Sequence, residues 1–92
     1  MNIRYKVRAL RHLELIHRHI ADQDPAAAGR VIRRIEHSIA RPEQVPFSGR
    51  PGVVAGTRIL VVPRSPYLAI YRVRGEFVDI VAILHTAQGR RS

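Results

Sequence analysis

With 92 residues the chain has room for one domain and one modest core, since a polypeptide this small buries only about two-thirds of its unfolded surface. It has no cysteine, which excludes disulfides and thiolate metal sites, and no apolar run approaching the roughly 18 residues of a membrane span. The formal charge is +9, and 15 of the 16 basic residues are arginine, whose planar fork suits phosphate and carboxylate. An anionic partner is therefore expected, either nucleic acid or an acidic protein. The missing cysteines and the absence of a leader-like N-terminus fit an unprocessed protein of the reducing cytoplasm.

Residues 2–7 alternate weakly and read as an edge strand, with Ile3, Tyr5 and Val7 on one side and Arg4 and Lys6 on the other. Over residues 8–21 the period changes. Leu10, Leu13, Ile16, His17 and Ile20 recur at three and four, the mark of an amphipathic helix. Asp24 before Pro25 then reads as a helix start, an N-cap acceptor followed by a proline whose missing N–H costs nothing there. The second helix runs to about residue 40 on a stripe of Ala28, Val31, Ile32, Ile35 and Ile39, and Pro42 ends it. Two such helices on a short link predict an antiparallel hairpin.

Residues 41–56 hold three of the six prolines and three of the six glycines and read as a loop. Three strands follow, at 57–62, 67–74 and 77–84, with Gly75-Glu76 as a two-residue hairpin turn that needs a positive φ at glycine. Pairing across that turn sets Arg72 opposite Asp79 and Tyr71 opposite Ile80. One face then carries Tyr67, Ala69, Tyr71, Val73, Val78, Ile80, Ala82 and Leu84. The other carries Leu68, Ile70, Arg72, Arg74, Phe77, Asp79, Val81, Ile83 and, just past the strand, His85. Both sets cannot enter one core, so the second face is partly a working surface. The expected architecture is α+β, in the order β-α-α-β-β-β: an N-terminal strand, a helix hairpin and a three-stranded antiparallel sheet. Residues 1–92 form a single domain in this reading, with a basic tail at 86–92.

The candidate chemistry is sparse. Glu14 and His17 have Glu-x-x-His spacing, but nothing supplies the further ligands a metal site needs, so a half-buried His17 between solvated His12 and His19 is the simpler reading; no metal or cofactor is expected. Gly49 and Gly52 follow no strand and make no phosphate loop. Arg72 and Asp79 form either a cross-strand ion pair or a guanidinium presented to an anion. His85 is either an acid or base near neutral pH or a packing histidine. Arg50 is a candidate to anchor the loop through carbonyls, and Arg58 is either an edge charge or part of the basic surface. Arg30, Arg33 and Arg34 read as a solvated helix face.

Several segments, taken in order, carry a resemblance: Asp24-Pro25-Ala26-Ala27-Ala28, Gly49-Arg50-Pro51-Gly52, Pro66-Tyr67 with Tyr71-Arg72-Val73, and Ile83-Leu84-His85. Across nearly its whole length the chain resembles toxins of the RelE/ParE superfamily of bacterial type II toxin–antitoxin systems. The resemblance implies a toxin held inactive by an acidic antitoxin, ParD-like or RelB-like, that lays an amphipathic helix along the hairpin and extends towards the sheet. Antitoxin contacts are then expected at Leu13, His17, Ile20, Val31, Arg34, Ile35, Arg58 and Arg72. The mRNA-cleaving branch, which acts on the ribosome, has an arginine where this chain has Leu68, and a further basic residue near Ala87 or Gln88. Leucine cannot neutralise a phosphate, so a nuclease here would have to rest on Arg72 and His85, with Arg90 and Arg91 folded back. Tyr71-Arg72-Val73 and Leu84-His85 look like the ParE branch, whose members are associated with poisoning DNA gyrase. Target contacts are expected at Arg58, Arg72, Arg74, His85 and Arg90.

Overall fold

The computed structural model describes residues 1–89. Strand β1 (Asn2–Tyr5) leads into helices α1 (Val7–Ala21) and α2 (Pro25–Ile39) and a single turn, α3 (Arg41–Gln44). Strands β2 (Arg50–Pro51), β3 (Arg58–Val61), β4 (Tyr67–Arg74) and β5 (Phe77–His85) follow, then a helical turn, α4 (Thr86–Gly89). The helix start at Asp24 is as read: its carboxylate accepts from the Ala27 N–H at 3.1 Å, with Pro25 in the first helical position. Gly75 adopts φ +59° in the β4–β5 turn, and Arg72 pairs with Asp79 and Tyr71 with Ile80 as expected.

The sheet departs from expectation. It has five strands in the order β1-β5-β4-β3-β2 and is mixed, because β1 lies parallel to β5 while the other pairs are antiparallel. Between β1 and the rest of the sheet runs the helix hairpin, a crossover long enough to return the chain in the parallel sense. The expected loop at 41–56 also contains α3 and β2, the latter pairing Arg50 with Ile59 and Pro51 with Arg58. The expected basic tail begins as the turn α4, and its Arg90 and Arg91 lie outside the described residues.

A further correction comes from a bulge. Tyr71 pairs with Ile80 but Ile70 pairs with Ala82, leaving Val81 as an extra residue on β5. One added residue reverses which side each later side chain faces. Ile83 therefore joins the core, and His85 comes opposite Tyr67 on the helix side. Ala82 and Leu84, expected in the core, turn to the open face.

The core lies between the helix hairpin and one sheet face. Ala9, Leu13, Ile35 and Ile39 from the helices meet Ala69, Tyr71, Val78, Ile80 and Ile83 from the sheet. On α1 the stripe through Leu13, Ile16 and Ile20 faces inward as expected, but Ala9 is fully buried, whereas Leu10 is half exposed and His17 is exposed. It is His12, not His17, that turns partly inward, where its Nδ1 accepts the Ile83 N–H at 3.1 Å. That bond matters because β1 pairs only with residues 77–80, and the β5 edge beyond it needs other partners.

Candidate functional site on the open sheet face

The sheet face away from the helices carries Arg4, Asp79, Arg72 and Arg74, with Phe77 beside them. Asp79 is buried, and its carboxylate accepts from Arg4 Nε at 2.7 Å and Nη2 at 3.1 Å, a bidentate pair across the β1–β5 junction. The Arg4 guanidinium also lies over the Phe77 ring, 3.7 Å from its centre. The hydrogen bonds from Arg4 hold the Asp79 carboxyl below its ordinary pKa despite burial, with the charges of Arg4, Lys6 and Arg74 acting in the same direction. The cross-strand ion pair considered for Arg72 and Asp79 is thus replaced by Arg4 with Asp79. Arg72 keeps its register opposite the carboxylate but loses it as a partner, and its buried Nε has no hydrogen-bond acceptor among the described residues.

Arg72 borders a groove of about 340 Å³ on this face. Ile59, Ile70, Ala82 and Leu84 line it from the sheet, Val53 and Val54 from the β2–β3 loop, and Arg8 from the start of α1. Val53 and Val54 are 72% and 59% exposed, apolar side chains held at the solvent edge of the groove. The Val81 bulge is what brings Ala82 and Leu84 here. Leu68, which the resemblance aligns with a cation of the cleaving branch, is buried opposite Leu84 on β5.

The remaining expected site residues fall elsewhere. Arg74 is exposed on the open face at the hairpin end. Arg58 is a loop anchor: its Nη1 donates to the carbonyls of Gly49 at 2.8 Å and Phe47 at 3.4 Å, and its guanidinium lies over the Phe47 ring. That is the role expected of Arg50, which instead sits exposed on β2. Tyr71 completes the anchor, its hydroxyl accepting the Gly49 N–H at 2.8 Å. A side chain at position 49 would meet the Tyr71 ring and the Ile59 carbonyl at 2.8 Å, so the loop approaches where only glycine fits.

His85 is exposed on the helix side, where its ring meets Tyr67 edge-on at 5.9 Å and its Nδ1 accepts the Ala87 N–H. With His12 and His19 it lines a second groove between α1 and β5. Arg72 and His85 therefore occupy opposite faces of the sheet. Among the expected antitoxin contacts, Leu13 and Ile35 are core residues covered by the protein itself, Val31 packs against that core, Ile20 is half-buried and His17 is exposed. Arg34 donates to the Arg64 carbonyl at 3.1 Å and so ties α2 to the β3–β4 turn. Arg90 lies outside the described residues. Among the described residues no group of three or more His, Cys, Asp or Glu side chains is placed to hold a metal ion.

Sequence reasoning missed Arg4, Arg8, His12 and the Val53-Val54 lip. Arg4 was legible as an outward residue of the first strand, but its partner lies 75 residues away, and nothing local specifies a parallel pairing.

The family model for "ParE toxin of type II toxin-antitoxin system, parDE" matches residues 3–89. The chain belongs to the ParE toxin family. It is 41% identical over 86 residues to a protein of Sinorhizobium fredii (strain NBRC 101917 / NGR234) named "Putative toxin Y4kP", covering 94% of this chain and 88% of that one. It is also similar to a chain in the solved structure "Chromosomal ParDE TA system from P. aeruginosa", with a TM-score of 0.87 and 28% identity. That match covers 92% of this chain and 95% of the other. The mixed sheet and its helix hairpin are thus those of a ParE toxin.

Proposed function

We propose that this ParE toxin arrests growth by binding and inhibiting DNA gyrase in the cytoplasm, and that a ParD-like antitoxin neutralises it by forming a complex with it. What carries the choice of binding over catalysis is the separation of Arg72 from His85 by the thickness of the sheet. Cleavage of RNA needs groups that transfer protons and neutralise phosphate converging on one centre. The two side chains best suited to those tasks face opposite ways, and Leu68 stands where the resemblance aligns the cleaving branch's cation. The open face offers instead an apolar groove with a guanidinium beside it, the pairing of apolar surface and arginine that recurs at protein–protein contacts. The antitoxin part of the proposal is supported by family membership, by similarity to a chain of the P. aeruginosa ParDE system, and by a net charge of +9 that favours an acidic partner.

The test is to induce the toxin alone and together with the product of the adjoining open reading frame. Loss of gyrase supercoiling in cells and with purified enzyme, relieved by that product, is the expected result. Ribosome-dependent mRNA cleavage with supercoiling intact would replace this reading by that of a ribosome-directed endonuclease.

A further inference from the structure

We infer that the open-face groove docks a peptide segment of the toxin's protein target, one in which a carboxylate is flanked by branched aliphatic side chains. The inference rests on the reading of this chain as an inhibitory binder and adds the surface and the chemistry it recognises.

Arg72 supplies the first argument. Its cross-strand neighbour Asp79 gives both carboxylate oxygens to Arg4, so the acceptor nearest in register is already taken. The Arg72 Nε is left buried without an acceptor among the described residues, a state that costs free energy and that a turn of the part-exposed guanidinium onto an incoming carboxylate would relieve. Arg8 lines the same groove, and Lys6 and Arg74 lie close enough to Asp79 to act on its charge, so an incoming carboxylate would meet a cationic surround. A charge-assisted bond formed beside an aliphatic wall is stronger than the same bond in water.

The lining supplies the second. Ile59, Ile70 and Leu84 offer aliphatic surface, and Val53 and Val54 stand exposed at its edge, where covering them releases ordered water. Among the described residues no aromatic side chain lines the groove, so it lacks the stacking platform on which single-stranded nucleic acids settle. Peptide side chains of the Val, Ile or Leu type fit such a wall; bases and sugars do not.

The target is favoured over the antitoxin as the source because the groove is walled by the sheet and the β2–β3 loop, and among the described residues the helix hairpin contributes to it only Arg8, in the first turn of α1. Arg72, which the resemblance gives to the antitoxin as well as to the target, is thereby assigned to the target. An antitoxin helix on the hairpin leaves this face open to the enzyme the toxin inhibits.

The experiment uses the full toxin, released from its antitoxin, and purified gyrase holoenzyme. Three variants are compared: Arg72→Gln, Arg72→Lys and Val54→Asp. The last lies on an exposed loop position where the fold tolerates charge and a carboxylate would repel an acidic segment. Arg72→Gln and Val54→Asp are expected to weaken gyrase binding and supercoiling inhibition by about tenfold or more, the size of effect of losing a charged hydrogen bond or an anchor. Arg72→Lys restores part of the loss, antitoxin affinity stays within about twofold of wild type, and excess single-stranded oligonucleotide does not compete. Wild-type gyrase binding by the groove variants would overturn the inference. So would a parallel loss of antitoxin affinity, or competition by the oligonucleotide. If the wild-type toxin arrests growth without touching gyrase, the reading of the target fails instead. Growth inhibition by the variants then decides the groove: undiminished toxicity removes it, and lost toxicity keeps it.

Discussion

Arg4 and Asp79, 75 residues apart in the chain, close the parallel junction between β1 and β5 through two hydrogen bonds of 2.7 and 3.1 Å. The bond does two things at once. It fixes the N-terminal strand to the sheet, and it withdraws Asp79 from Arg72, leaving a cation beside the apolar groove. Structure and recognition are thereby coupled through one carboxylate.

Acid stability should report this pair. The Asp79 carboxyl is held below its ordinary value of 3.8, chiefly by the Arg4 hydrogen bonds, so the unfolded chain takes up its proton first as pH falls. The stabilisation is fully present above that ordinary value and is lost as pH drops through the lower native one. Urea unfolding between pH 7 and pH 2.5 should show a steep loss of stability in that acid range for wild type. The Asp79→Asn variant should be less stable at pH 7 and flatter below pH 4. Parallel pH profiles for the two proteins would contradict the assignment.

His12 gives a second pH dependence, with a different window. Burial, helped by the charge of Arg8, lowers its pKa from the ordinary 6.5, and its Nδ1 must stay unprotonated to accept the Ile83 N–H. Between 6.5 and the lower native value the unfolded chain holds a proton that the native state refuses, so stability falls as pH falls through that interval. Replacing His12 by alanine should remove that dependence and cost about 1 kcal/mol at pH 8, the net worth of one hydrogen bond. Titration of the His12 ring by NMR is the direct check: a pKa at or above 6.5 would rule the assignment out.

Much of this was legible in the residues, and the failures have particular causes. The helix start at Asp24-Pro25, the Gly75 turn and the Arg72–Asp79 register are local events, set by residues adjacent in sequence or across a two-residue turn. The Val81 bulge was not legible, because Val81, Ile83 and Leu84 are equally apolar and strict alternation fits them as well as the bulged arrangement does. That one residue sent His85 to the helix side and brought Leu84 into the groove. On α1 the small Ala9 took the buried position expected of Leu10, since close approach of helix and sheet favours a methyl group there. The partnerships of Arg4 and His12 depend on contacts separated by 75 and 71 residues, which hydrophobic period does not encode.

The loop anchor at Gly49 should be intolerant of even a methyl group. An added Cβ would lie 2.8 Å from the Ile59 carbonyl and from the Tyr71 ring, both in fixed surroundings. Gly49→Ala is expected to destabilise the fold by about 1–3 kcal/mol, as overpacking commonly does. Tyr71→Phe removes the acceptor of the Gly49 N–H while keeping the ring, with an expected loss of about 1–3 kcal/mol from the buried donor. Chemical denaturation of both variants measures this. A change below about 0.5 kcal/mol in either, the range of ordinary surface substitutions, would show that the loop is not held this way.

The separation of Arg72 from His85 leads to the sharpest functional contrast. A nuclease relying on both would lose most of its rate with either one, since groups acting as a unit fail together. A binding toxin that uses the open face has no such requirement. His85→Ala should cost some stability, because the ring meets Tyr67 edge-on and its Nδ1 accepts the Ala87 N–H, yet toxicity should stay within about threefold of wild type at a temperature where the variant is folded. Arg72→Ala should lower growth inhibition and gyrase inhibition together by about tenfold or more, with a smaller effect on stability, since its buried Nε has no acceptor to lose among the described residues. Both variants need the same two readouts, toxicity on induction and supercoiling by purified gyrase, alongside a melting curve. Equal and large losses of toxicity in the two, with both folded, would mean that the faces act together and that a chemical step has been missed.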